Sequence, residues 1–124
     1  MDEIFIGTDI VSVPRIEEIL ISDQGGRFKE RVFSSREISY CDQKTNPAIH
    51  YAGRFAAKEA IKKSLLSSRL TTNIPMRAME ILPDDQGAPV VHLHLDNREE
   101  VCCRVSISHI DQTAIAFAIL QKTP

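Results

Sequence analysis

No stretch of this sequence is long and apolar enough to cross a membrane: the longest wholly apolar run, 114–120, falls far short of the ~20 residues required. The opening Met1-Asp2-Glu3 lacks the basic and apolar regions of a secretory signal, so the expected location is the cytoplasm. Positive charge is not in excess either. A net charge of −2 and a pI near 6.1 weigh against a nucleic-acid partner, so any anionic ligand must be met by a local cluster of Lys and Arg. Cysteines number three, an odd count, and Cys102 adjoins Cys103. Neighbours on a strand point to opposite faces, which keeps that pair out of one ordinary disulfide framework or one metal site. All three are read as reduced thiols that pack. No repeat, low-complexity run or Pro/Gly-rich linker divides the chain, and no Walker A or G-x-G-x-x-G sequence is present. What remains, 124 residues with 43% hydrophobic and 26% charged side chains, has the composition and size of one globular domain, 1–124.

Residues 4–11 are rich in β-branched and aromatic side chains and predict a strand, followed by a helix capped by Ser12 with Pro14 in its first turn. Asp23-Gln24-Gly25-Gly26 is a break. Two short helices are expected at 27–33 and 35–41, the second capped by Ser34 with Glu37 three residues on. Asn46-Pro47 opens the longest helix, 48–66, on which Ile49, Ala52, Ala56 and Ala60 form a narrow apolar stripe. Glu59 and Lys63 fall inside that stripe, whereas Arg54, Lys58 and Lys62 fall on the far side.

Strands are predicted at 77–82 and 90–95, joined through Asp84-Asp85-Gln86-Gly87-Ala88, and then at 103–108 and 113–120. The last is apolar on both faces and reads as a central strand covered on both sides. Its small face of Ala114, Ala116 and Ala118 is expected to accept the alanine stripe of the long helix. Helices gathered early and strands joined by short turns predict an α+β fold, an antiparallel sheet with a long helix packed across it.

A carboxylate and an ammonium on the packing side of a helix call for explanation, because uncompensated burial of charge is costly. Asp9, by itself, reads as a strand-end carboxylate or a cap. A second acid at Glu59 changes the weighting: two carboxylates repel unless a cation lies between them, and their hard oxygens suit Mg²⁺ with open positions for water and phosphates. Lys63 would then neutralise phosphate charge; the competing reading is an i,i+4 salt bridge between Glu59 and Lys63. His109 ends a strand before the turn at Asp111-Gln112, where a lone histidine is more often a surface group. His92 and His94 share a strand face, read as solvated. Gly87 on its own simply makes a hairpin turn. A Mg²⁺ nuclease built on Asp9, Glu59 and Lys63 is disfavoured by the acidic pI.

Ordered motifs carry a resemblance. Ile6-Gly7-Thr8-Asp9-Ile10-Val11, then Arg27-Phe28-x-x-Arg31-Val32-Phe33-Ser34 with Glu37 and Cys41, then Arg54-Phe55-Ala56-Ala57-Lys58-Glu59-Ala60-x-x-Lys63, Asp85-x-Gly87-x-Pro89 and Val105-Ser106-Ile107-Ser108-His109 resemble, in order and spacing, the holo-[acyl-carrier-protein] synthases. These are short, single-domain 4′-phosphopantetheinyl transferases. The resemblance implies transfer of the 4′-phosphopantetheine arm of coenzyme A to a serine of apo acyl carrier protein, with release of adenosine 3′,5′-bisphosphate, in fatty acid biosynthesis. It implies Mg²⁺ on Asp9 and Glu59, phosphate charge stabilised by Lys63, and the nucleotide end of coenzyme A met by Gly87, Pro89, Ser108 and His109. Arg15 and Arg27 would greet the carrier protein, and a homotrimer would carry one site at each subunit interface. Whether Glu59, Asp9 or a metal-bound water takes the serine proton stays open.

Three positions depart from the family pattern. Ser64-Leu65-Leu66-Ser67-Ser68-Arg69-Leu70 replaces a Gly-Thr-Gly-like loop that would let backbone approach a phosphate, Ile110 replaces a polar residue, and Arg104 stands where His is common. The glycine-poor loop motivates a rival reading, a coenzyme A- or carrier-binding homologue without turnover. A third reading is a metal-independent structural module.

Overall fold

The computed structural model describes residues 3–70, 74–94 and 101–122. Strand β1 (Glu3–Ser12) leads into α1 (Val13–Ile21), α2 (Gly25–Val32), α3 (Ser35–Asp42) and the long α4 (Pro47–Ser68). A 3₁₀ turn (Met76–Ala78) then precedes β2 (Met79–Pro83), β3 (Pro89–Leu93), β4 (Val101–Ile110) and β5 (Thr113–Lys122). The sheet is antiparallel in the order β1-β5-β4, and β2 and β3 form a separate hairpin. The α+β expectation holds, with α4 lying across the three-stranded sheet.

Local chemistry explains the helix starts. The Ser12 side chain accepts from the Arg15 N–H at 3.3 Å, ahead of Pro14. Ser34 and Glu37 form the expected reciprocal capping box. The predicted strand at 77–82 begins instead with the 3₁₀ turn, and Leu95, placed at the end of the next predicted strand, lies outside the described residues. The β2–β3 turn is closed by Asp84, whose Oδ1 accepts from the N–H groups of Gln86 and Ala88 at 2.9 Å each. Gly87 supplies the φ of +86° that this turn requires.

The alanine prediction is borne out. Ala56, Ala57 and Ala60 of α4 are fully buried in one cluster with Ala116, Ala118 and Leu120 of β5. Ala52 and Ala114 join a second cluster containing Val13, Ile16, Phe33 and Tyr51. Two expectations need correction. First, β5 is central but covered on one face only: Ile115, Phe117 and Ile119 are exposed, beside Ile4, Ile6 and Ile10 of β1. Among the described residues no element covers that face, which the alternation of small and large residues could not reveal.

Second, the far side of α4 is not wholly solvent: Lys62 is exposed, but Arg54 and Lys58 are buried. Lys58 is fully buried, and its ammonium donates to Glu37 Oε1 at 2.8 Å and to the carbonyls of Met79 and Met76 at 2.7 and 2.9 Å. The other Glu37 oxygen accepts from the Ile81 N–H at 2.9 Å. Arg54, also buried, donates from Nε to the Ile81 carbonyl at 3.1 Å. Helix α4 thus has two packed sides, one on the sheet and one on α3 and β2, and the second is lined by satisfied charges rather than apolar groups. Burial pulls the Lys58 ammonium below its ordinary pKa, against the pull of Glu37.

Beyond Lys63 the helix continues through Ser68 rather than opening into a loop. Arg69, not Ser67 or Ser68, takes the left-handed conformation, with φ of 59°. The three thiols are unpaired; burial pushes Cys41 and Cys103 up to about 12, which keeps them protonated and inert, as expected of packing residues, whereas Cys102 is exposed and does not pack as expected.

Two outcomes follow for stability. Lys58→Met should cost about 3–5 kcal/mol, measured by urea denaturation, because it strands the Glu37 carboxylate among apolar groups. The Arg36 guanidinium, 2.9 Å away, holds Glu80 down to about 2 from an ordinary 4.5, with help from Ser34. A depressed carboxylate stabilises the native state above its unfolded pKa and loses that contribution as pH falls through its folded one. Unfolding midpoints of the wild type should therefore drop more steeply than those of Glu80→Gln between pH 4.5 and 2.

Candidate active site

Register decides which side chains of β1 face the helix. Phe5, Gly7, Asp9 and Val11 share that side, opposite the exposed isoleucines. Gly7 is where strand and helix come nearest: a methyl group there would run into the carbonyl oxygen of Ala60. This close approach brings Lys63, three residues further along α4, onto the strand. Its ammonium donates to the Thr8 carbonyl at 2.9 Å and to Asp9 Oδ1 at 3.2 Å. The expected alternative, a Glu59–Lys63 bridge, does not form, because the lysine's strand partners are within reach and hold it. Thr8 in turn anchors β1 to β5 by donating to the Ala116 carbonyl at 3.1 Å.

Glu59 lies one turn before Lys63, half-buried, with no hydrogen-bond or ion-pair partner among the described residues. Two hard carboxylate donors, one of them uncommitted, are too few for an all-protein metal cage. No cluster of three or more potential ligands occurs among the described residues. They are, however, the donor set of a Mg²⁺ that keeps water and phosphate ligands. The residues present therefore fit that ion.

The other predicted site residues lie elsewhere. Ser108 is on the outer face, level with Ile115 and Ile10, so it points away from α4. His109 is level with Ala114 on the helix side but at the end of β4, the sheet edge opposite β1. Gly87 and Pro89 belong to the β2–β3 hairpin, which packs beside β4. One chain thus joins Lys63 to Asp9, with Glu59 one turn earlier on the same helix face, and does not bring Ser108 or His109 to them.

Arg15 and Arg27 are exposed on α1 and α2. Arg27 borders a groove of about 540 Å³ with an apolar floor that includes Ile19, Phe28 and Met76, and Arg31 borders it too. The sequence expectations name Arg15 and Arg27 but not Arg31, whose i,i+4 spacing from Arg27 is the signal that places both on one helix face.

The profile of the 4′-phosphopantetheinyl transferase superfamily matches residues 5–118. The holo-[acyl-carrier-protein] synthase of Syntrophus aciditrophicus (strain SB) is 40% identical over 121 residues, covering 93% of each chain. The chain belongs to the holo-[acyl-carrier-protein] synthase family. The synthase of Chlorobium limicola is likewise 40% identical, over 96% of this chain and 94% of its own. In structure, the ACPS–CoA complex of Chronobacterium ammoniagenes superposes with a TM-score of 0.83 at 28% identity, covering 98% of this chain and 99% of that one. The Helicobacter pylori synthase in complex with coenzyme A gives 0.74 at 31%, covering 93% and 98%. Family membership accounts for the ordered motifs, and the family's fold is the one seen here.

Gly7→Ala tests the geometry on which the site rests. Forcing strand and helix apart should lower stability by about 1–3 kcal/mol in chemical denaturation, the usual cost of overpacking. Retention of full stability would show that the close approach is not needed.

Proposed function

We propose that this protein transfers the 4′-phosphopantetheine arm of coenzyme A to a serine of apo acyl carrier protein, releasing adenosine 3′,5′-bisphosphate, with Mg²⁺ and in the service of fatty acid biosynthesis in the cytoplasm. The observation that carries this reading is the Lys63–Asp9 ion pair at the β1–α4 seam, with Glu59 one turn earlier on the same helix face, in a chain whose relatives are named for this activity. Solved relatives with coenzyme A bound add to it.

In this reading the serine oxygen bonds to the phosphorus carrying the pantetheine arm. The bond from that phosphorus to the bridging oxygen breaks, and the nucleotide leaves with the electron pair. Phosphoryl transfer of this kind needs positioning and charge neutralisation more than covalent help. Asp9 and Glu59 would hold Mg²⁺, which when bound supplies positive charge at the pyrophosphate. Lys63, held by the Thr8 carbonyl, would stabilise the charge that phosphate oxygens gain. Glu59, Asp9 or a metal-bound water would take the serine proton; Asp9 already shares its Oδ1 with Lys63.

The nucleotide end would meet Gly87, Pro89, Ser108 and His109. Since these flank β4 and the acids flank β1, a ligand that needs both sets suits a site shared by two copies. The exposed apolar face of Ile4, Ile6, Ile10, Ile115, Phe117 and Ile119 is a surface for such association. A homotrimer is the assembly proposed, each chain acting as one domain, 1–124. The acidic carrier would dock on the groove bordered by Arg27 and Arg31, with Arg15, exposed on α1, as a further basic contact. The rival reading, a binding protein without turnover, draws its support from the glycine-free sequence after Lys63. The structure weakens that motive, since Arg69 supplies the left-handed residue that a glycine would.

Incubation with apo acyl carrier protein, coenzyme A and Mg²⁺, followed by mass spectrometry of the carrier, should show the added arm. Glu59→Gln should slow it at least ~100-fold, and a chelator should abolish it. An unchanged carrier mass would favour the rival. Near-normal rates for Glu59→Gln would overturn the metal role. Phe117→Lys should convert the assembly to monomers in light scattering and remove activity with it.

A further inference from the structure

The solvent side of α4 runs on past the seam with β1. Lys62 and Leu66 stand three and seven residues beyond Glu59, on the face that Glu59 shares, and Arg69 caps the helix end. All three are exposed, Leu66 at 47%. Neither Lys62 nor Arg69 has an ion-pair partner among the described residues, in a chain whose acids outnumber its Lys and Arg. Residues 60–70 contain no acid at all.

On the other side of Glu59, one turn earlier, lies Phe55, whose half-buried ring meets that of Phe28 at 5.8 Å between centroids. Phe28 belongs to the floor of the groove bordered by Arg27 and Arg31. A continuous line therefore leads from that groove through Phe28 and Phe55 to Glu59, and onward to Lys62, Leu66 and Arg69.

We propose that Lys62, Leu66 and Arg69 form a second docking patch for the acidic carrier protein, across Glu59 from the groove. The assignment rests on the phosphopantetheinyl-transfer reading, in which a serine of the carrier enters beside Glu59. Leu66 is seven residues from Glu59, about 10 Å along the helix. A protein interface of standard size covers ~800 Å² of each partner, a disc of roughly 16 Å radius. A carrier that touches the groove and delivers its serine to Glu59 therefore overhangs the far side as well. Charge selects the same occupant. An exposed leucine between two uncommitted cations repeats the make-up of the groove, an apolar floor with arginines at its border, and suits an acidic surface. A second copy of the chain has its own place, since the bare apolar face lies on the side of the sheet away from α4. Because α4 continues to Ser68, the patch is carried by helix and not by loop, which fixes its position.

The test is steady-state transfer to apo acyl carrier protein, with coenzyme A affinity measured in parallel by calorimetry. Replacing both cations, Lys62→Glu with Arg69→Glu, should raise KM for the carrier about tenfold, leave kcat unchanged and flatten the salt dependence of kcat/KM. Lys62→Arg with Arg69→Lys should keep wild-type values. Leu66→Ser should raise the same KM and keep the salt dependence. Coenzyme A affinity should be equal in every variant, which also shows that each one folds. An unchanged carrier KM in the charge-reversed variant would overturn the inference. So would a fall in coenzyme A affinity, which would give the patch to the nucleotide, or a changed mass in light scattering, which would give it to a contact between copies. Each of these leaves the transfer reading standing, whereas absence of any transfer by the wild type would remove both.

Discussion

The contact between Gly7 of β1 and the Ala60 carbonyl of α4 sets the distance on which the rest of the site depends. Small residues on both partners let backbones meet where ordinary side chains would hold them apart. Ala56 and Ala60 on the helix, with Ala116 and Ala118 on β5, extend the same close contact across the sheet. Burying alanine gains little per residue compared with leucine or phenylalanine, since less apolar area leaves water. The gain is positional: Lys63 can span from helix to strand and reach Asp9.

The opposite flank of α4 solves a different problem. Lys58 and Glu37 are taken wholly out of water, yet every hydrogen-bonding atom there is satisfied, with the lysine on a carboxylate and two carbonyls. Such a pair contributes little net stability compared with apolar packing, but removing one member is severe. It fixes the rotation of α4 about its axis, because only one orientation puts the ammonium between α3 and β2. That rotation also sends Glu59 and Lys63 toward β1. The buried Lys58 on one flank and Lys63 on the other thus belong to a single helix.

Much of this was legible in the residues. Ser12, Pro14, Ser34, Glu37, Asn46 and Pro47 mark helix starts because capping is local, decided by neighbours within a few positions. The Ala114, Ala116 and Ala118 alternation marks the helix-facing side of β5 because strand periodicity is local too. What failed was long-range. Arg54 and Lys58 look solvated by helical angle alone, since nothing adjacent in sequence announces that α3 and β2 will close over them. The step from the α2 groove to α4 gave no signal at all: it is made by the rings of Phe28 and Phe55, which only folding brings together.

The sequence by itself determined the elements, their caps and the acid and lysine candidates, because propensity, capping and periodicity act over one or two turns. Tertiary structure alone decided that Lys63 pairs with Asp9 rather than Glu59. It also decided that β5 keeps one apolar face bare and that Ser108 and His109 lie across the sheet from the acids. These outcomes depend on strand order and on the closeness of two backbones, quantities set by the packing of the whole chain and not by any neighbouring residues.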